Sequence, residues 1–287
     1  LTGQPARALP ASEVLLYPVL TSGQNSDVQA VVISRSGHTS EAVRAASALK
    51  RELHFPTIGI TCANKSALEA ECDGTLVLAA ADDKSTVMTR SFTTMLISLQ
   101  YLAARYSGNA EFIQSLQVMA NQAEPLIHSL AAKIESFVNT SSFADYVFLG
   151  QGPFYGIARE AALKVMEMSC SYSQAFHSLE FRHGPKAIVS PQTCLTFYLS
   201  ETAQDAETEL LQEMKELGGV TIAVCNVASE KVRDASDLVI EVNTSGNELA
   251  LLASYSLPAQ LIGFFTGIGK GLNPDQPKNL TRIVVLD

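Results

Sequence analysis

The chain has 287 residues, room for two domains of ordinary size, about 140 residues each. With 47% hydrophobic and 17% charged residues it has the make-up of a well-buried globular protein, not of a disordered one. A formal net charge of −9 argues against a nucleic-acid or anionic-membrane partner, since there is no basic surplus to displace counterions, and an anionic small molecule would need a local positive pocket.

In chain order, residues 1–12 say little, residues 13–18 read as a short strand or turn, and residues 21–27 as a loop. Val31, Val32 and Ile33 then read as the end of a buried strand and residues 41–50 as a helix. Between them lies Ser34-Arg35-Ser36-Gly37-His38-Thr39, a turn of small hydroxyl residues at the positive end of a helix. Such a turn is a ready anion site, with phosphate the leading candidate; the same residues also serve elsewhere as plain helix N-caps. Strands at 57–61 and 74–78 flank a short helix at 66–71, which gives βαβαβ. A polar loop at 82–90 leads into a helix at 91–106, and two helical segments over 109–138 are separated at Pro125.

The pattern then begins again. Residues 145–149 read as a strand, followed by a helix over 155–168, a strand at 194–199, a helix at 207–217 and strands at 220–225 and 237–242. The distance from Ser34 to Cys62 nearly equals that from Ser200 to Cys225, which suggests duplication. The expected fold class is α/β, with two parallel-sheet domains, residues 1–138 and 139–287, and ligands at the carboxyl ends of strands. The second turn, Ser200 to Asp205, lacks the glycine and carries acids, so no second phosphate site is expected there.

Cys62, Cys72, Cys170, Cys194 and Cys225 are odd in number and show no CxxC spacing, so they read as reduced, mostly buried thiols of a cytoplasmic protein. No HxH or HExxH spacing calls for a metal. The most apolar stretch, residues 249–268, is interrupted by Ser254, Ser256, Pro258 and Gln260 and suits a core helix or helix pair better than a membrane span of about 18 or more apolar residues. The chain begins without Met or a signal-peptide pattern, as expected of a sequence whose start is missing.

Two further constellations could carry chemistry. Glu160, Lys164 and Glu167 fall at i, i+4 and i+7 on one helix face. They are either a solvated ion-paired face or a general base beside a cation, and spacing does not choose. His183, in the dense polar run 176–186, is held in a turn by Gly184 and Pro185.

Ser34 to Thr39, the loop 87–92, the run 159–167, the loop 179–186 and the tail 273–280, all in order, resemble the tandem sugar isomerase (SIS) domain proteins. The likeness is to the isomerase half of glucosamine-6-phosphate synthase, the glucosamine-6-phosphate deaminases of that fold and the AgaS-type ketose/aldose isomerases. It implies two flavodoxin-like domains, a cofactor-free reaction and a homodimer. It implies that Ser34, Arg35, Ser36, Gly37 and Thr39 bind the substrate phosphate, with Thr89 nearby. Glu167 matches the base that moves a proton between C1 and C2 of an open-chain sugar, Lys164 its neighbouring cation, and His183 the ring-opening histidine supplied across a dimer interface. Glu160 and Arg282 are possible supports.

There are departures from the family pattern. The synthase's glutaminase domain is not expected alongside these residues, so release of ammonia or plain isomerisation is the better expectation. Arg282 stands where the synthase has its imine-forming lysine, and a guanidinium, which stays protonated, forms no Schiff base. The family's first strand and its Gly-Thr-Ser turn have no counterpart before residue 13. The expected activity is therefore isomerisation or deamination of a hexosamine 6-phosphate. The alternatives are a non-catalytic phosphosugar sensor or regulatory subunit and, more remotely, a phosphosugar lyase.

Overall fold

The structure, a computed structural model, describes residues 1–18 and 28–286; the loop expected at 21–27 lies outside them. By compactness the chain divides into Thr2–Ser98 with the segment from Asn279 onward, called here the first unit, and Leu99–Lys278, the second. The division at 138/139 drawn from the sequence follows the βα repeats rather than compactness.

The first unit holds a parallel sheet in the order β1-β2-β3, formed by Ala30–Ile33, Thr57–Thr61 and Gly74–Val77. Helix α2 (Ser40–Arg51) and the short α3 (Ala67–Glu71) cover one face, where Val32, Ala42, Ala46, Leu68 and Cys72 form a small core. Where a strand or turn is expected over residues 13–18, helix α1 (Ala11–Leu16) forms instead. A strand needs a neighbour for its N–H and C=O groups, whereas one helical turn closes on itself and needs only an apolar anchor, here the buried Val14.

Helix α4 (Arg90–Ser107) contains the compactness boundary, and α5 (Ala110–Asn139) follows in the second unit. The break expected at Pro125 is absent, because α5 runs through it. Pro125 and Asn121, the residue whose carbonyl it strands, are both exposed, so water can take the lost bond. Phe112, Leu116 and Met119 before the proline and Leu130, Ile134 and Val138 after it bury the helix on both sides.

The second unit is built on β4 (Asp145–Gly150), β5 (Tyr172–His177), β6 (Thr193–Tyr198), β7 (Val220–Cys225) and β8 (Leu238–Glu241). They run parallel in the order β5-β4-β6-β7-β8, the flavodoxin-like arrangement, with its switch point between β4 and β6. Strand β5 is absent from the sequence reading. It is an edge strand whose outward residues, Tyr172 and His177, are exposed, so it lacks a continuous apolar run. Helices α6 (Pro153–Ser169), α7 (Gln204–Glu216), α8 (Glu230–Asp234) and α9 (Leu252–Gly269) complete the unit. Among the described residues, the stretch Glu248–Gly269 has the length and apolarity to cross a membrane, but 56% of its most apolar window is buried in the protein. It is one helix behind a 3-10 turn and packs against α5 and α6.

The duplication is visible at atomic detail. In the first unit Asp73 accepts from Thr57 N at 2.8 Å and from its hydroxyl, and pairs with Lys50. In the second, Asp237 accepts from Thr221 N at 2.8 Å and from its hydroxyl, and pairs with Lys215. Strands β1-β2-β3 thus repeat β6-β7-β8, and among the described residues the first sheet has no counterparts of β4 and β5.

Candidate functional site

At the carboxyl end of β1 the chain leaves the sheet through Ser34, whose N–H still bonds Ile60 O, and turns at Gly37 with φ of +61°. Gly37 N–H donates back to Ser34 O, and a Cβ here would lie 2.4 Å from Ser66 Oγ, so glycine is required on two counts. Helix α2 then starts with Thr39 at its N-cap, and the Thr39 hydroxyl makes no capping bond. Among the described helices, Ser66 caps Glu69 N–H, Asn109 caps Phe112 N–H and Ser229 caps Val232 N–H, while α1, α6, α7 and α9, like α2, start without a side-chain cap. At the start of α2 the N–H groups of Glu41 and Ala42 lie ahead of the first intrahelical bond, Val43 N–H to Thr39 O, while Ser40 N–H is taken by Val284 O. An open pocket of about 310 Å³ lies against this turn, bordered by Ser34, Ser36 and Thr39. Thr39 thus does not act as a side-chain cap, and the turn stands beside the pocket.

Two residues placed at the phosphate by resemblance are engaged otherwise. Arg35 is buried; its Nη1 donates to Ser85 O and Thr86 O, and its Nη2 to Arg282 O at 3.1 Å. It contributes charge and holds the loop. Thr89 gives both its N–H and its hydroxyl proton to Asp83, which also accepts from Arg90 N and from Ser91. Burial pushes the Asp83 carboxyl up, and these donated bonds outweigh it and leave the group below its ordinary value. The Asp83 knot was not seen in the sequence; its signal is an acid spaced six to eight residues ahead of the Thr-Arg-Ser that opens α4. Arg282, by contrast, borders the pocket, and the C-terminal segment is tied to the helix start: Ser40 N–H donates to Val284 O and Leu286 N–H to Ser40 Oγ.

In the second unit Gly152, with φ of +53°, and Pro153 at the first helical position start α6. Heptad-like spacing brings Glu160, Lys164 and Glu167 to one face, and that face is not solvated: Lys164 is 2% exposed. Its Nζ donates to Glu167 Oε2 at 2.5 Å and stands 3.5 Å from Glu160 Oε1. Helix α9 holds α6 in place by close approach, since a Cβ on Gly267 would lie 2.4 Å from Met168 O. Burial pushes the Glu160 carboxyl up to about 7, with Lys164 lowering it and Glu167 adding to the rise. A cation enclosed by two carboxylates, one of which holds a proton near neutrality, is an arrangement that can move protons.

His183 stands exposed in a loop of two 3-10 turns, Leu179–Arg182 and Pro185–Ile188. Helix α7 fixes that loop with carboxylates absent from the sequence reading. Glu213 accepts from Arg182 Nε and Lys186 Nζ, each at 2.7 Å, and Glu207 accepts from Ser178 Oγ at 2.9 Å. Phe181 anchors the middle of the loop in the core. His177 stacks on Tyr155 with ring centroids 3.7 Å apart.

The SIS domain family matches residues 14–105 and 145–264. The chain is 28% identical over 294 residues to the isomerizing glutamine–fructose-6-phosphate aminotransferase of Pyrobaculum aerophilum, an alignment covering 97% of this chain and 48% of that protein. It thus spans about half the length of the curated relatives it matches. Among solved structures it is similar to the glucosamine-6-phosphate deaminase of Thermotoga maritima, with 29% identity, a TM-score of 0.79 and coverage of 96% of this chain and 81% of that one. It shares its fold with the tagatose-6-phosphate ketose/aldose isomerase of Escherichia coli, at 23% identity and a TM-score of 0.83, over 100% of this chain and 79% of that one. The first matched segment contains the serine turn and the second contains the Glu-Lys-Glu row and the His183 loop, and the chain belongs to the SIS-domain family.

Proposed function

We propose that the chain isomerises or deaminates a hexosamine 6-phosphate by proton transfer between C1 and C2. The observation that carries this reading is the buried Lys164 on α6, held between the partly exposed Glu160 and Glu167. A buried cation costs stability unless it is well paired, so Lys164 held between two partly exposed acids points to chemistry. Glu167 is the base. It takes the C2 proton of the open-chain amino aldose and returns it at C1, passing through an enolamine. The resulting C2 imine is hydrolysed by water to the ketose 6-phosphate and ammonia. A hexose lacking the amino group follows the same proton path through an enediol. Lys164 sets the charge beside the base, and Glu160 holds a proton that the row can exchange.

The uncapped start of α2 with Ser34, Ser36 and Thr39 takes the phosphate, and His183 opens the sugar ring. The exposure of His183 suits a histidine offered to a second copy, and we assign the protein as a homodimer. Similarity to the Thermotoga maritima deaminase supports ammonia release.

The test is incubation with glucosamine 6-phosphate and galactosamine 6-phosphate, following ammonia, ketose phosphate and exchange of the C2 hydrogen with solvent deuterium. Glu167→Gln is expected to lower kcat by about 10³-fold or more, in the range of a lost general base. Full turnover in that variant removes the assignment of the base. Tight binding of both sugars by the unaltered chain, with no C2 exchange, turns the reading to a phosphosugar sensor.

A further inference from the structure

The pocket beside the serine turn is not simply positive. Glu41 in the first turn of α2 borders it, and Asp82 lies within reach of its edge through an ion pair with Arg282. A helix N-terminus carries only about half an elementary charge, which does not by itself offset two carboxylates near a dianion. Arg35 and Arg282 are the cations bordering the pocket. The Arg35 guanidinium donates to the carbonyls of Ser85, Thr86 and Arg282, and the side chain is buried.

Arg282 is placed the other way round. Its main chain is fixed, with its carbonyl held by Arg35 and Val284 O held by Ser40 N–H two residues on. Its side chain is 41% exposed and meets Asp82 Oδ2 at 2.5 Å through a single nitrogen. An exposed pair of this kind is weak and easily exchanged. The guanidinium has five donors in a planar fork that matches phosphate oxygens two at a time.

We propose that Arg282 is a phosphate-binding residue, which leaves Asp82 for the phosphate when a sugar phosphate enters the pocket bordered by Ser34, Ser36 and Thr39. The proposal rests on the reading of that turn as the phosphate site and adds the residue that supplies its mobile charge. It gives the C-terminal segment a binding role in place of the covalent one that a lysine would have. It also makes Asp82 a competitor that sets how tightly the anion is held.

The experiment is titration calorimetry of the full chain with glucitol 6-phosphate, with inorganic phosphate and uncharged glucitol as parallel probes. Variants are Arg282→Gln, Arg282→Lys, Asp82→Asn and Ser36→Ala, each checked by thermal melting. Loss of a charge-assisted forked contact is expected to weaken glucitol 6-phosphate by about tenfold or more in Arg282→Gln, with Arg282→Lys in between. Asp82→Asn is expected to tighten it by about threefold, since the competing charge is gone. Inorganic phosphate should follow the same order more weakly, and glucitol should not respond. Binding of glucitol 6-phosphate by wild type and Arg282→Gln within twofold of each other overturns the proposal and leaves the phosphate turn standing, provided Ser36→Ala is weakened. No binding by wild type overturns the phosphate turn and the proposal together. Should Arg282→Gln fail to fold, Asp82→Asn decides: an unchanged affinity there overturns the proposal.

Discussion

The two units carry the same local framework, a threonine N–H and hydroxyl on an aspartate that a lysine pairs, yet they treat the turn after the leading strand oppositely. After β1 the chain turns through Ser34 and Gly37 into a helix whose start no side chain caps. After β6 the Ser200 N–H and hydroxyl are both taken by the Glu207 carboxylate, at 2.9 and 3.2 Å. The second turn is therefore closed by a carboxyl group of its own helix, where the first borders a pocket. The same local framework is thus closed by a side chain in one copy and borders a pocket in the other, and the two turns differ in their residues, Gly37 in the first and Glu207 in the second, rather than in strand order.

The largest expected effect comes from removing that acid. Glu207→Ala strands the Ser200 N–H and the Ser200 and Ser178 hydroxyls in the core, and loss of a buried network of this kind costs about 3 kcal/mol. Urea unfolding measures it. If the cavity acts as the emptied equivalent of the first turn, added formate restores part of the loss; a penalty below about 1 kcal/mol would mean that the second turn does not depend on its own anion.

The second unit also buries Glu160, and here pH reads the cost. Its carboxyl stands at about 7 in the fold against 4.5 when unfolded, so the folded chain keeps a proton that the unfolded chain has released. Stability contributed by this group is full below pH 4.5 and drains away as the pH rises to about 7. The slope reaches up to about 1.4 kcal/mol per pH unit. Unfolding free energies of wild type and Glu160→Gln, compared from pH 5 to pH 8, should diverge in favour of the variant. A difference that stays flat with pH would show that Glu160 is not held neutral by burial.

Much of this architecture is legible in the residues. β-branched runs mark β1 and β7, and the Gly37 turn announces itself because no other residue type fits φ of +61° so close to Ser66. What stays hidden depends on partners far away in sequence. The Glu160, Lys164 and Glu167 spacing gives a shared face, but whether water reaches it is decided by α9 packing on α6 about a hundred residues later. Arg282 meets Asp82 across |i−j| = 200, a separation at which no local pattern speaks. Strand β5, an edge strand without an apolar run, and the six-residue helix α1 fail because each is marginal in its own propensity, so its neighbours determine its state.

The smallest effect separates capping from binding most cleanly. Ser66 and Ser229 each accept a bond from a helix N–H, so replacing either by alanine should cost about 1 kcal/mol of stability. Thr39 occupies the same position on α2 without that bond; its hydroxyl meets only Ser36 Oγ, at 3.4 Å. Thr39→Ala should therefore cost less than about 0.5 kcal/mol, the range of a surface change with no special role. The same variant should weaken glucitol 6-phosphate binding several-fold, because a hydroxyl donor and the geometry of the helix start change at the anion. A stability loss equal to that of Ser66→Ala, with binding intact, would make Thr39 an ordinary cap and return the first turn to the same structural role as the second.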